Sequence, residues 1–167
     1  MRHLTFCATL FIAVAISGCS GTPRPDGLPK LYPCTITITQ EGKPLEGVSV
    51  SLYDPAITDR WAVGGQTNAS GVATIHTHGQ FLGTPAGRFK VVLTKTVTES
   101  DSVASDIEWA SPKVRGDTRF YSLVGKEYIN YETTPLEIVI DGKKRNESFD
   151  IGSVERILIQ TFRAREM

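Results

Sequence analysis

The chain has 167 residues, of which 18 are basic and 18 are acidic, and its formal net charge at neutral pH is zero. This length suits one domain with a sizeable hydrophobic core. The balanced charge, together with the lack of a basic stretch rich in aromatic residues, argues against nucleic acid as a partner.

The first residues have the pattern of a targeting signal that is removed from the mature protein. A weakly basic start is followed by an apolar run over residues 4–16, which is shorter than the about 20 residues that a membrane-spanning helix needs. The run ends in Ile16-Ser17-Gly18-Cys19, which resembles the lipobox of bacterial lipoproteins. The resemblance implies that residues 1–18 are a signal peptide, that cleavage falls between Gly18 and Cys19, and that the Cys19 thiol carries lipid. The alternative is an ordinary secreted protein whose cleavage site happens to contain a cysteine.

A lipid on Cys19 predicts attachment to a membrane of the cell envelope, because two or more acyl chains anchor a protein stably. Ser20 follows Cys19, and by analogy with lipoprotein sorting in Gram-negative bacteria the lack of Asp at this position predicts the outer membrane rather than the inner one. Residues 19–31 are rich in Gly and Pro, which disfavour regular structure. They are therefore predicted to be a flexible tether between the lipid and the domain.

Two alternating runs of apolar residues follow the tether. One contains Cys34, Ile36 and Ile38, the other contains residues 48, 50 and 52, and the turn between them includes Gly42. A period of two places alternate side chains on one face of a sheet, so these residues are expected in a core. The prediction for Cys34 is a small buried residue, and the alternative is a redox-active or intermolecular thiol.

Further short strands are predicted at intervals of about ten residues, which is typical of a β-sandwich. They cover residues 61–67, 72–77, 88–95, 136–140 and 147–151, and turns rich in Gly, Asn and Pro separate them. Gly64-Gly65 indicates a bulge or a close backbone approach, and Asp141-Gly142 predicts a hairpin between the last two strands. The fold class expected is an all-β, immunoglobulin-like sandwich of about seven strands.

Three segments of this region resemble a known family. They are Gly42-Lys43-Pro44-Leu45-Glu46-Gly47-Val48, Thr67-Asn68-Ala69-Ser70-Gly71-Val72-Ala73 and Pro85-Ala86-Gly87-Arg88-Phe89-Lys90-Val91. In this order they are similar to the successive signatures of the carboxypeptidase regulatory-like domain. The resemblance covers residues 31–95 well and the chain from about residue 125 loosely. It implies a transthyretin-like sandwich over residues 32–162 without catalytic residues, similar to that of the small lipoproteins of planctomycetes.

Two segments depart from this pattern. Residues 96–130 form an insertion, in which Val103 and Ile107 have helical spacing, so that a short helix capped by Thr98 or Ser100 is expected. Aromatic residues of the insertion, including Trp109, either form a contact surface or cover an open face of the sandwich. Residues 154–162 are predicted to be an extra edge strand, with a short helix as the second choice.

The sequence offers little that could support catalysis. The nucleophile motif Gly-x-Ser-x-Gly, the zinc motif His-Glu-x-x-His and a phosphate-binding Gly-rich loop are all absent. His76 and His78 would point the same way in a strand and are candidates for a pair of metal ligands, but the third histidine, His3, lies in the signal segment. The chain is therefore predicted not to be an enzyme, and neither a metal nor another cofactor is expected.

The function expected is that of a structural or protein-interaction module at the cell envelope, with an envelope protein as its partner. This hypothesis predicts an exposed apolar patch or a free sheet edge on the domain. The alternative is a module that binds carbohydrate or the cell wall, for which Trp61 and Trp109 are the candidate ligand contacts. Sugars stack on exposed aromatic rings, so both indoles would then need to be exposed and coplanar.

Overall fold

A computed structural model describes residues 23–100, 117–153 and 156–163. Strands dominate these residues. In chain order they are β1 (Leu31–Tyr32), β2 (Cys34–Gln40), β3 (Lys43–Pro44), β4 (Ser49–Tyr53), β5 (Val63–Gln66), β6 (Val72–Thr74), β7 (His76–Thr77), β8 (Phe81–Leu82), β9 (Thr84–Pro85), β10 (Gly87–Thr94), β11 (Thr96–Ser100), β12 (Asp117–Ser122), β13 (Glu137–Ile140), β14 (Arg145–Asp150) and β15 (Ile157–Arg163). A short helix, α1 (Pro55–Thr58), and a 3-10 helix (Lys126–Tyr128) are the helical elements of the described residues.

The strands form a sandwich, as the sequence predicts. One layer is a six-stranded sheet in the order β13-β10-β4-β5-β7-β8. The other layer is built around β2, which pairs with β14 on one side and with β3 and β6 on the other. The core between them contains the alternating residues of β2, β4 and β10, including Ile36, Val50 and Phe89. The prediction of an all-β fold is therefore confirmed, and so is the prediction that Cys34 is buried.

The predicted hairpin at Asp141-Gly142 is wrong. Strand β13 pairs with β10 in the six-stranded sheet, whereas β14 crosses to the other layer and pairs in parallel with β2. Side-chain contacts help to hold this register, because the Asp150 carboxylate accepts hydrogen bonds from the Gly42 amide at 2.7 Å and from the Thr39 hydroxyl at 2.8 Å. The hydrogen bond from Gly42, followed by those from the Gly152 amide and Thr39, lowers the pKa of Asp150. In this arrangement Ile151 is buried in the core.

The segment predicted as one strand over residues 72–77 is two strands that belong to different sheets. Strand β6 pairs with β2, and β7 pairs with β5, so the chain changes layer at the fully buried Ile75. Glycines allow the backbones to meet closely here. A Cβ atom on Gly65 would collide with the carbonyl oxygen of Thr74, and one on Gly64 would lie 2.5 Å from that of Val50. The close approach predicted at this Gly-Gly pair is confirmed, and the switch of layer divides one predicted strand into two.

The described part of the insertion contains strands β11 and β12 and the 3-10 helix Lys126–Tyr128. Strands β11 and β12 form a three-stranded antiparallel sheet with β15, in the order β11-β12-β15. Thr98 and Ser100, the predicted helix caps, are residues of β11, and the remaining positions of the predicted helix lie outside the described residues together with Trp109. The extra strand predicted for the C-terminal segment is confirmed by β15.

The N-terminal signal and the lipidation site, Cys19, lie outside the described residues. Residues 23–30 of the predicted tether contain neither helix nor strand, but they contact the domain. Leu28 is buried, the Arg60 guanidinium donates to the Asp26 carbonyl at 3.4 Å, and Leu31 begins β1, which pairs with β9. The domain therefore begins before residue 32. Across the described ranges, no helix has the length and apolar character needed to cross a membrane.

Candidate functional site

The structure excludes Trp61 as an open sugar-binding platform. Its side chain is only 8% exposed. The His78 ring meets it edge-on, with 5.1 Å between the ring centres, and the Arg60 guanidinium lies 5.2 Å from its centre. Trp61 follows α1, and its amide donates a hydrogen bond to the Ile57 carbonyl of that helix. The second predicted contact, Trp109, lies outside the described residues.

The two histidines do not form a paired metal site. His76 lies in β7 with its Nδ1 atom 3.1 Å from the Thr74 carbonyl oxygen. His78 follows the strand with a φ of 55°, so the alternation that would align the two side chains ends before it. Burial raises the pKa of the Cys34 thiol to about 11, which keeps this sulfur protonated. The described residues contain no group of three or more His, Cys, Asp or Glu side chains arranged to hold a metal.

The three-stranded sheet presents an open edge with apolar side chains beside it. Strand β15 pairs with β12 on one side, and no described strand pairs with its other side. The register shifts between Phe120 and Tyr121, which leaves Ile159 as an extra residue in a β-bulge. Leu158 is 53% exposed and Ile159 is 56% exposed. Large apolar side chains with this exposure on a sheet edge are typical of a contact surface.

A groove of about 540 Å³ adjoins this edge. Five of its ten lining residues are apolar, namely Val124, Ile157, Leu158 and Ile159, together with Ile129 directly after the 3-10 helix. Lys95 and Lys126 also line it, whereas no described carboxylate does. The open edge of β15 and this groove, with Ile129, Leu158 and Ile159 as its exposed apolar residues, are called the docking surface below.

A second concave region lies on the outer face of the six-stranded sheet. Tyr53, at the end of β4, stacks on Tyr131 with ring centres 4.1 Å apart and an angle of 27° between the planes. A hollow of about 610 Å³ on one side of the pair is lined by residues that include Ser51, Thr58 and Asn130. A smaller hollow of about 300 Å³ on the other side is lined by charged residues, namely Asp54, Arg88, Lys90, Glu132 and Glu137. The two hollows and the stacked pair are called the tyrosine trough below.

The charged side of the trough is organised by ion pairs. Glu137 accepts from Lys90 at 2.7 Å and from Arg88 at 3.1 Å. The hydrogen bond from Lys90, followed by that from Arg88, lowers the pKa of Glu137. The neighbouring Glu132 carboxylate raises the pKa of Tyr131, so the tyrosine hydroxyl remains a hydrogen-bond donor at neutral pH.

Sequence reasoning reached the two regions to different extents. It predicted an extra edge strand over residues 154–162, which contain the apolar run Ile157-Leu158-Ile159, but it did not predict the groove beside that strand. It did not predict the tyrosine trough, because Tyr53 and Tyr131 are far apart along the chain and no local pattern indicates that they stack. No protein-family model matches this chain, and no curated protein or solved structure is significantly similar to it.

Proposed function

We propose that this chain is a lipid-anchored, non-catalytic protein of a bacterial cell envelope that binds an extended segment of another envelope protein at the docking surface. The anchor is the lipid expected on Cys19, in the outer membrane rather than the inner one. The resemblance of three sandwich segments to the carboxypeptidase regulatory-like domain supports a role as a binding module rather than an enzyme. The observation that carries the proposal is the open edge of β15 beside the exposed side chains of Leu158 and Ile159.

Strand addition is the mode of binding that this edge supports. An unpaired strand edge presents a row of N–H and C=O groups that can form a ladder with an extended partner segment. Alternate side chains of that segment would then enter the adjacent groove, where Ile129 and Ile157 provide apolar contacts. Burial of apolar surface supplies most of the favourable free energy in such a contact.

The positive charge of the groove indicates which residues the partner segment should contain. Lys95 and Lys126 contribute two ammonium groups, and no described carboxylate in the lining offsets them. The Lys95 ammonium is positioned by a hydrogen bond to the Glu46 carbonyl. A segment that combines apolar residues with Asp or Glu is therefore complementary to the docking surface, and basic segments are disfavoured.

Replacing Cys19 by alanine tests the anchor. The Cys19→Ala protein is expected to lose incorporation of labelled palmitate and to leave the membrane fraction, because the thiol that accepts the lipid is absent. Fractionation of cells and metabolic labelling measure both effects. Cys34→Ala is the control, since it removes a cysteine of the folded domain and should leave labelling unchanged. Membrane association and labelling that persist in Cys19→Ala would show that the lipobox interpretation is wrong.

Site-specific photocrosslinking tests the docking surface. A photoreactive amino acid at position 158 or 159 is expected to crosslink to one envelope protein, and the same group at position 82 is not. Leu82 is a matched control, because it is 58% exposed and lies on β8, at a different sheet edge.

Replacing Leu158 by a charged residue tests whether the crosslink depends on apolar contact. Leu158→Lys should abolish the crosslink from position 159, whereas Leu82→Lys should leave that crosslink intact. Neither substitution should lower the melting temperature appreciably, because both side chains are exposed. Equal crosslinking from positions 82 and 158, or a crosslink that survives Leu158→Lys, would contradict the proposal.

A further inference from the structure

We infer that the tyrosine trough is a glycan-binding site that holds a neutral, hydroxyl-rich sugar chain against Tyr131. This site is separate from the strand edge of the docking surface, although Ile129 lines both regions. The inference therefore goes beyond the proposed binding of an envelope protein and does not depend on it.

The stacked pair is a rigid aromatic platform in a trough that also contains polar side chains. Tyr131 is 41% exposed, and its stacking on Tyr53 holds the ring in place, so little side-chain entropy is lost when a ligand packs against it. Tyrosine combines an apolar ring with a polar tip. A pyranose has the same combination, with C–H groups on its faces and hydroxyls around its rim. Val92 and Ile129 extend the apolar contact area beside the ring.

Polar groups suited to sugar hydroxyls lie on both sides of the platform. Ser51, Thr58 and Asn130 line the larger hollow and provide hydroxyl and amide groups. The smaller hollow adds the carboxylates and cations around Glu137. A sugar hydroxyl both donates and accepts hydrogen bonds, so it can use carboxylate acceptors and ammonium donors that lie next to each other. Such a mixture of apolar surface and a few placed polar groups is typical of a small-molecule site.

The charges of the trough favour a neutral ligand. Three acidic side chains, those of Asp54, Glu132 and Glu137, face two basic ones in the smaller hollow. Arg88 and Lys90 are already paired with Glu137. A phosphate or a nucleotide would gain little attraction from cations that are neutralised in this way, and a strongly basic peptide would compete with Lys90 and Arg88 for the same carboxylate.

The backbone around the trough disfavours a peptide ligand. Strand β4, which carries Ser51 and Tyr53, pairs with β10 on one side and with β5 on the other. Its backbone N–H and C=O groups are therefore used within the sheet, and no strand can be added there. Recognition at this face therefore has to come from side chains, such as those of Ser51, Thr58 and Asn130.

Binding of defined oligosaccharides to the full-length protein in detergent tests the inference. The probes are N-acetylglucosamine hexamer, cellohexaose and maltohexaose, measured by isothermal titration calorimetry, and purified peptidoglycan, measured by co-sedimentation. Binding of at least one probe is expected, with a loss of about tenfold or more in affinity for Tyr131→Ala, because the stacking contact is removed. Tyr131→Phe keeps the ring and should retain most of the affinity. Tyr121→Ala is the aromatic control and should bind as the parent does, because Tyr121 lies in β12 and lines neither hollow.

The outcome also identifies the source of the glycan. Binding of the N-acetylglucosamine hexamer and peptidoglycan indicates the cell wall, and binding of the glucose oligomers alone indicates another polysaccharide. No binding of any probe, or binding that Tyr131→Ala leaves unchanged, would overturn the inference. The two proposals can be tested separately. Leu158→Lys should abolish crosslinking to a protein partner and leave sugar binding intact, whereas Tyr131→Ala should weaken sugar binding and leave the crosslink intact.

Discussion

Replacing Gly71 by alanine is expected to lower the free energy of unfolding by more than about 3 kcal/mol, since two costs combine at this position. Gly71 has a φ of +73°, a conformation that residues with a Cβ atom rarely adopt. A Cβ atom here would also lie 2.6 Å from the Ile38 carbonyl oxygen and 3.2 Å from the Leu45 nitrogen. Both are backbone atoms, the first in β2 and the second directly after β3, so relief of the contact would displace the ladder around β2. Denaturant unfolding of the purified protein measures the loss.

Gly47 provides a matched control for this prediction. It has the same φ of +73°, but a Cβ atom on it would meet nothing within 4 Å. Gly47→Ala should therefore lower the free energy of unfolding by about 1–2 kcal/mol, which is the cost of a positive φ for a residue with a Cβ atom. Equal losses of unfolding free energy in the two variants would contradict the prediction. They would mean that the backbone moves easily to relieve the contact between a Cβ atom at position 71 and the Ile38 carbonyl oxygen.

Replacing Phe89 by alanine is expected to lower the free energy of unfolding by about 3–5 kcal/mol, because it removes a large side chain from the core. Phe89 is fully buried in β10, between β4 and β13, and it is the largest of the fully buried side chains in the described residues. The variant loses the hydrophobic burial of the phenyl ring, and the residues around the resulting cavity lose van der Waals contacts. A domain of this size has only about 5–15 kcal/mol of stability, so the variant should unfold at a clearly lower denaturant concentration.

The adjacent residue is the control for Phe89. Arg88 lies next to it in β10 but points outward, and its ion pair with Glu137 is exposed. Arg88→Ala should change stability by less than about 1 kcal/mol, as expected for an exposed ion pair. If Phe89→Ala cost no more than Arg88→Ala, the assignment of inner and outer faces in β10 would be wrong.

The difference between the confirmed and the wrong predictions has a physical basis. Which residues of β2, β4 and β10 face the core follows from the period of two, which is a local property of an extended chain. The positive φ of Gly42 and Gly71 follows from local turn chemistry. The pairing of β14 with β2 instead of β13 depends on which layer has room to bury Ile151, and that depends on the whole fold. The burial of Trp61 depends similarly on how α1 packs over the sheet.

The sequence by itself therefore determined the fold class, the core faces of the main strands, the close approach at Gly64-Gly65 and the absence of known catalytic motifs, because each of these is set by residues near one another in the chain. Only the tertiary structure decided the parallel pairing of β14, the change of layer at Ile75, the groove beside β15 and the tyrosine trough. Tyr53 and Tyr131 are distant in sequence and stack because separate elements pack together, and Ile129 and Leu158 line one groove for the same reason. Contacts of this kind depend on the packing of the complete domain, which no local pattern of residues encodes.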